Sequence, residues 1–238
     1  MTKSQPLPVA IVTGASRGFG KAVTAALLDR GWTVVTDARR AAELETTARE
    51  LDSTRLIALP GDVTDVSHRD ALIAAATKTG PLRLLVNNAS RLGPSPQPAL
   101  ADYPPSELWA VYQANVFAPI ALIQAALPAL TDNAGVIINL TSDAAVEPYP
   151  GWGGYGSSKA ALDQLSAVLA AEVPAVPVYA FDPGDMRTEM HQAAFPGEDI
   201  SDRAEPESVV PAVLRLLDTR PAAGRYRTAD LALSGARP

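Results

Sequence analysis

Tyr155 and Lys159 stand four residues apart in a stretch, 151–165, that reads as the start of a helix. Side chains at that spacing share one helix face, with Cβ atoms roughly 6 Å apart. A phenol with a reference pKa of about 10 holds its proton too firmly to act as a base near neutral pH. A neighbouring ammonium favours the phenolate and draws that pKa down. The pair therefore has the makings of an acid/base unit. The same spacing also suits a half-buried tyrosine beside a solvated lysine, so its meaning rests on what surrounds it.

The surroundings are an alternation of strands and helices. A β-branched run at 8–13 passes through Thr13-Gly14-Ala15-Ser16-Arg17-Gly18-Phe19-Gly20 into a helical stretch at 21–28. Strand, glycine loop and helix in that order suit a phosphate: glycines let the backbone come close, and the helix start offers free N–H groups. Further strands are expected at 31–36, 54–59, 82–86, 136–140 and 176–181, with a short last one at 226–231. Helices are expected at 41–51, 67–79 and 208–217, through the tyrosine stretch to 171, and at 107–130 with a kink at Pro119. A proline-rich stretch at 94–105 reads as a surface loop. Between 189 and 206 the periodicity fails, which suits either a lid or a plain surface loop. Six strands alternating with helices predict an α/β, Rossmann-type doubly wound fold. Its sheet would be mostly parallel, of about seven strands, with helices on both faces of a single domain, 1–238. Gly14, Asp37, Arg39, Asp62, Asn88, Ser142 and Pro183-Gly184 each follow a predicted strand. In such a sheet the ligand lies outside the strands' carboxyl ends.

Composition narrows the function classes. Hydrophobic residues make up 47% and charged residues 19% of the 238 residues, which is a globular balance. The net charge of −6 argues against a general nucleic-acid or anionic-membrane binder. There is no cysteine, which excludes disulfides and thiol chemistry. His68 and His191 show no metal-ligand spacing, so no metal site is expected. Lys3 precedes no apolar run of signal-peptide length, and no stretch comes near the ~18 apolar residues of a membrane span. A soluble cytoplasmic protein is the expectation.

Taken together, the motifs resemble the short-chain dehydrogenase/reductase family over nearly the whole chain, from Val9 to about Leu217. Gly14, Gly18 and Gly20, with Ser16, Arg17 and Phe19 between them, match its cofactor loop. Asp62-Val63 matches the pair that faces adenine. Asn87-Asn88-Ala89 matches its Asn-Asn-Ala-Gly segment, with Ser90 in place of the glycine. Asn115, Ser142, Tyr155 and Lys159 match its catalytic tetrad, Ser142 lying 13 residues before the tyrosine. Pro183, Gly184 and Thr188 match the segment that contacts the nicotinamide carboxamide. The resemblance implies hydride transfer between NAD(P)H and a small-molecule carbonyl or alcohol. Tyr155 would act as general acid/base, with Lys159 lowering its pKa and holding the nicotinamide ribose. Ser142 would hold the substrate oxygen, and Asn115 a water that links Lys159 to solvent. The family also implies a homodimer or homotetramer. The Ala160, Ala161, Leu165 and Leu169 surface of the tyrosine helix could pack on a partner or on its own sheet.

Cofactor and substrate follow by position. The acidic residue that selects NAD in the family falls seven places after the strand's opening glycine, here at Ala38. Asp37 is one earlier, so strand alternation turns it away from the ribose. Arg39 stands where NADP-using members carry arginine, and Arg17 is a second candidate. NADP(H) is therefore expected ahead of NAD(H). Within the family, the stretch from Gly151 to the Pro183-Gly184 turn resembles sepiapterin reductases and bacterial diketone reductases. That implies a ketone or dicarbonyl substrate. Arg91, Leu92, Tyr149, Trp152, Asp185 and Met186 are the expected pocket walls. An oxidative alcohol or sugar dehydrogenase, and a non-catalytic dinucleotide-binding sensor, are the alternatives.

Overall fold

The computed structural model describes residues 6–231, so Lys3 and the signal-peptide question lie outside the described residues. Its elements run β1 (Val9–Val12), α1 (Gly18–Asp29), β2 (Thr33–Ala38), α2 (Ala41–Leu51), β3 (Leu56–Pro60), α3 (Val66–Thr79) and β4 (Leu82–Asn87). Then come α4 (Pro105–Tyr112), α5 (Ala118–Asp132), β5 (Val136–Leu140), α6 (Gly153–Glu172), β6 (Val178–Asp182), α7 (Glu189–Ala194), α8 (Pro206–Thr219) and β7 (Gly224–Arg227). All strands pair in parallel, in the order β3-β2-β1-β4-β5-β6-β7.

Period-two alternation along the buried strands divides the core in two. Ala10 and Val12 of β1 face one layer with Leu27 of α1 and Val213 and Leu216 of α8. Val9 and Ile11 face the other, with Leu72 of α3 and Leu122, Ala126 and Leu130 of α5. Both sheet faces are thus covered, as a parallel sheet requires. Strand order reverses between β1 and β4, and the two strand ends are stitched together there. The Thr13 hydroxyl accepts from the N–H groups of Asn88 and Ala89, and the Asn88 amide donates to the carbonyls of Thr13 and Gly14 at 2.8 and 3.0 Å.

Three expectations are corrected. The long helix does not simply kink at Pro119; Gln113–Phe117 forms a π-helical turn between α4 and α5. Proline has no N–H for the carbonyl four residues back, that of Asn115, so the chain widens instead of continuing α-helical. The last strand is Gly224–Arg227, and Thr228–Leu231 turns into a 3-10 helix. The stretch 189–206 is not structureless: Thr188 caps α7, its hydroxyl accepting from the His191 N–H. In addition, the continuous helical run Pro105–Asp132 is long and apolar enough by composition to cross a membrane. Its apolar inner face is the α5 stripe of the core. On α6, Leu169 packs on the chain's own sheet, while Ala160, Ala161 and Leu165 are half-buried.

Candidate active site

The glycine loop is shaped from below. Gly14 has φ +69°, and a Cβ there would stand 2.8 Å from Ala89 Cα. At Gly20 it would stand 2.4 Å from Asn88 Nδ2 and 2.6 Å from the Gly14 carbonyl. These two glycines are needed so that the loop can close on the end of β4. Asp37 lies beneath, 1% exposed. One of its oxygens accepts the Gly14 N–H at 2.7 Å, and the other is 3.0 Å from His68 Nε2. Its carboxylate is therefore committed to the loop and to His68, while Asp37 also lines the cleft above it. No side chain caps α1, so its first N–H groups face outward from Arg17 onward.

A cleft of about 1040 Å³ runs over the strand ends. It is lined by Gly14, Ser16, Arg17, Gly18, Phe19, Arg39, Asp62, Val63, Asn88, Ala89, Ser90, Tyr155, Lys159, Pro183 and Thr188. Of the expected cofactor residues only Gly20, which packs inward, and Gly184 lie outside its wall. The two candidate arginines differ. Arg17 is ion-paired with Glu189 of α7 and lies 3.6 Å from Glu43. Arg39 is exposed and has no side-chain partner among the described residues.

Tyr155 and Lys159 sit one turn apart on α6, both buried. Lys159 Nζ is 5.4 Å from the centre of the Tyr155 ring and donates to the Leu140 carbonyl at 2.7 Å. The expected lowering of the phenol pKa is reversed. Burial pushes the Tyr155 phenol well up, the nearby Ser90 hydroxyl draws it down, and Asp182 and Asp143 push it up further. Burial also pushes Lys159 down to about 8, with Asp163 opposing. The ammonium is aimed at β5 and itself weakened, so desolvation dominates at both groups.

Ser142 follows β5 and faces a second, smaller cavity of about 370 Å³. Its hydroxyl donates to Asp143 Oδ1 at 2.9 Å and accepts from the Ala144 N–H. Asn115 lies in the π turn and lines neither cavity. Its Oδ1 accepts from the Arg91 N–H at 2.7 Å and the Ser90 hydroxyl at 3.1 Å. Its Nδ2 donates to the Arg91 carbonyl and to Ser158 Oγ, each at 2.9 Å. The side chain is fully used in tying the β4 loop to α6, so holding a water does not fall to it. Its carbonyl, facing Pro119 in sequence, is the polar atom of Asn115 without an α-helical donor.

Tyr155, Thr141, Pro183, Met186, Thr188 and Met190 line both cavities, so the phenol stands where they meet. Leu92, Tyr149, Trp152, Asp185 and Met186 line the smaller one, as expected. Arg91 does not; it lines the cleft and pairs with Glu107 at 2.8 Å, because Asn115 holds its backbone on that side. Several wall residues were missed by sequence reasoning, among them Asp143, His191 and Phe195. Asp143 accepts from the Tyr149 hydroxyl at 3.0 Å. His191 and Phe195 enter with α7, their rings 4.9 Å apart, and Phe195 continues to Trp152 and Tyr155. Thr188 as an N-cap was the signal for that helix.

An uncapped helix behind a glycine loop, a long cleft over a parallel sheet's switch point and a buried tyrosine–lysine pair define a dinucleotide-binding oxidoreductase site. A short chain dehydrogenase family model matches residues 8–199. The chain belongs to the short-chain dehydrogenase family, and is an NAD(P)-dependent dehydrogenase/reductase. It is 34% identical over 201 residues to the sepiapterin reductase of Meriones unguiculatus, covering 78% of this chain and 77% of that one. It is 35% identical over 188 residues to a serine 3-dehydrogenase of Agrobacterium fabrum, covering 75% and 72%. Among solved structures, a short-chain dehydrogenase of Shigella flexneri complexed with NADP superimposes with a TM-score of 0.86. The identity is 28%, over 95% of this chain and 100% of that one.

Proposed function

We propose that the chain is an NADP(H)-dependent carbonyl reductase in which Tyr155 donates a proton to the oxygen of a ketone or dicarbonyl substrate. The observation that carries this reading is the position of Tyr155 in the wall common to both cavities. The residues present fit the cofactor. The first turn of α1 offers N–H groups to a pyrophosphate, and Arg39, without a side-chain partner among the described residues, offers its guanidinium to a 2′-phosphate. Asp62-Val63 would face adenine, Asn88 and Ala89 the cleft floor, Lys159 the nicotinamide ribose, and Pro183, Gly184 and Thr188 the carboxamide. When bound, the cofactor supplies the hydride. The similarity to sepiapterin reductase and to an NADP complex supports the same reading.

A phenol held above its ordinary range by burial stays protonated at neutral pH, which suits a donor. Ser142, beside Tyr155 in the smaller cavity, can offer its hydroxyl to the same substrate oxygen by turning from Asp143. Trp152, Phe195 and Tyr149 give that cavity an aromatic wall suited to a flat or apolar substituent.

The test is cofactor oxidation with a panel of diketones, ketones and aldehydes, for the wild type and Tyr155→Phe. Turnover should fall about 10²–10⁴-fold in the variant, with cofactor binding by protein fluorescence retained. A Tyr155→Phe enzyme that turns over normally would rule the assignment out.

A further inference from the structure

Arg225 lines neither cavity, yet three elements of the site converge on its side chain. From β7 its Nε donates to Asp163 Oδ2 at 3.1 Å, and its Nη2 to Asp182 Oδ2 at 2.8 Å and to the Ser142 carbonyl at 3.0 Å. The guanidinium is 27% exposed and the Asp182 side chain 4%. Each partner leads to a working part of the site. Ser142 carries the hydroxyl beside Tyr155. The other oxygen of Asp182 accepts the Gly184 N–H at 3.0 Å, which fixes the Pro183-Gly184 turn between the two cavities. Asp163 stands one turn beyond Lys159 on α6 and acts on its charge.

We infer that Arg225 is a positioning residue for the acid/base pair, setting both the placement of Ser142 and the Gly184 turn and the charge around Lys159 and Tyr155. Asp163 and Asp182 are two carboxylates on one guanidinium, and removing it leaves both in a poorly solvated place. Asp182 and Asp143 face Tyr155, Asp163 faces Lys159, and Asp185 and His191 stand across the smaller cavity. With Arg225 gone, Lys159 is the nearest remaining cation to Asp163. Its ammonium should then be favoured and its titration should move up; loss of the Asp163 charge should move it down.

The inference rests on the roles given above to Tyr155 and Lys159, and its test reads more than turnover. The chain has only four lysines, at 3, 21, 78 and 159, so isotope-labelled lysine side chains give a spectrum simple enough to assign with Lys159→Met. The Lys159 resonance is titrated in the wild type, Arg225→Met, Arg225→Lys and Asp163→Asn, with thermal melting as the control for folding. Arg225→Met should raise the midpoint by about one pH unit, Arg225→Lys should restore most of it, and Asp163→Asn should lower it. Turnover in Arg225→Met should fall at least about tenfold, because the substrate-binding hydroxyl and the Gly184 turn lose a shared anchor. A folded Arg225→Met with wild-type midpoint and turnover overturns the proposal. If that variant does not fold, an unmoved midpoint in Asp163→Asn overturns it instead. Retained turnover in Tyr155→Phe would sink the tyrosine assignment; an inactive Tyr155→Phe with a wild-type Arg225→Met would sink only the role of Arg225.

Discussion

Replacing Arg39 by alanine tests the proposed NADP(H) preference apart from everything else the site does. Arg39 is exposed at the end of β2, lines the cleft and touches no acidic side chain among the described residues. Its removal breaks nothing in the empty protein, so stability should stay within about 0.5 kcal/mol of wild type. A hydrogen bond to a charged group is worth about 1.5–3 kcal/mol. At an open rim, screened by solvent and salt, about 1–2 kcal/mol is reasonable. At about 1.4 kcal/mol per factor of ten, that is roughly 5–30-fold in kcat/KM for NADPH. NADH has no 2′-phosphate, so its kcat/KM should not move. Arg17 is the internal comparison: it already answers to Glu189 and Glu43, so Arg17→Ala should shift the NADPH/NADH ratio less. Both cofactors are assayed with one substrate at fixed ionic strength. Equal losses for the two cofactors, or a wild-type enzyme that prefers NADH, would refute the reasoning.

Two other substitutions test the packing beneath the site. Gly20→Ala places a Cβ against Asn88 Nδ2 and the Gly14 carbonyl, so the amide must release the Thr13 and Gly14 carbonyls. The expected cost is about 2–4 kcal/mol in denaturant unfolding, together with weaker cofactor binding; unchanged stability would mean the loop yields freely. Lys159→Met should abolish turnover and yet stabilise the empty protein, because the folded state holds this ammonium at about 8 against an ordinary 10.5. The unfolded chain binds more protons above about 8, so wild-type stability should rise with pH there, by at most about 1.4 kcal/mol per unit. Beyond about 10 the raised Tyr155 phenol works the other way, since the folded state then holds the extra proton. Urea unfolding from pH 7 to 10 checks this, and a flat profile in wild type would count against the buried ammonium.

The strands and the residues at their ends were legible because each uses short-range chemistry: β-branched runs, a glycine loop, Asn88 and Ser142 just past a strand. Asn115, Ser142, Tyr155 and Lys159 could be singled out through the resemblance to the family, but their bonding could not. Asn115 reads as a polar residue on a helix, and only Pro119 four places on hints that its carbonyl is freed. Asp37 reads as a ribose ligand or a misplaced one. Its partner His68 lies on α3, 31 residues away, so only tertiary packing reveals the strut under the loop. Arg225 follows the same rule, with partners 43, 62 and 83 residues distant. Arg91 shows the converse error, since neighbours in sequence put it beside Leu92, while its backbone bond to Asn115 turns it into the other cavity.

The glycine loop takes its shape from Ala89, Asn88 and Asp37, all of which belong to the protein. Arg39 hangs at the far rim with no duty to that framework. On the proposed NADP(H) reading, shape and selectivity would be held by different atoms. A descendant of this chain, or a laboratory variant, could change which dinucleotide it prefers through one or two rim positions and inherit the phosphate cradle intact. The reverse path, altering the cradle while keeping the preference, would have to pass through substitutions that unseat β1 from β4.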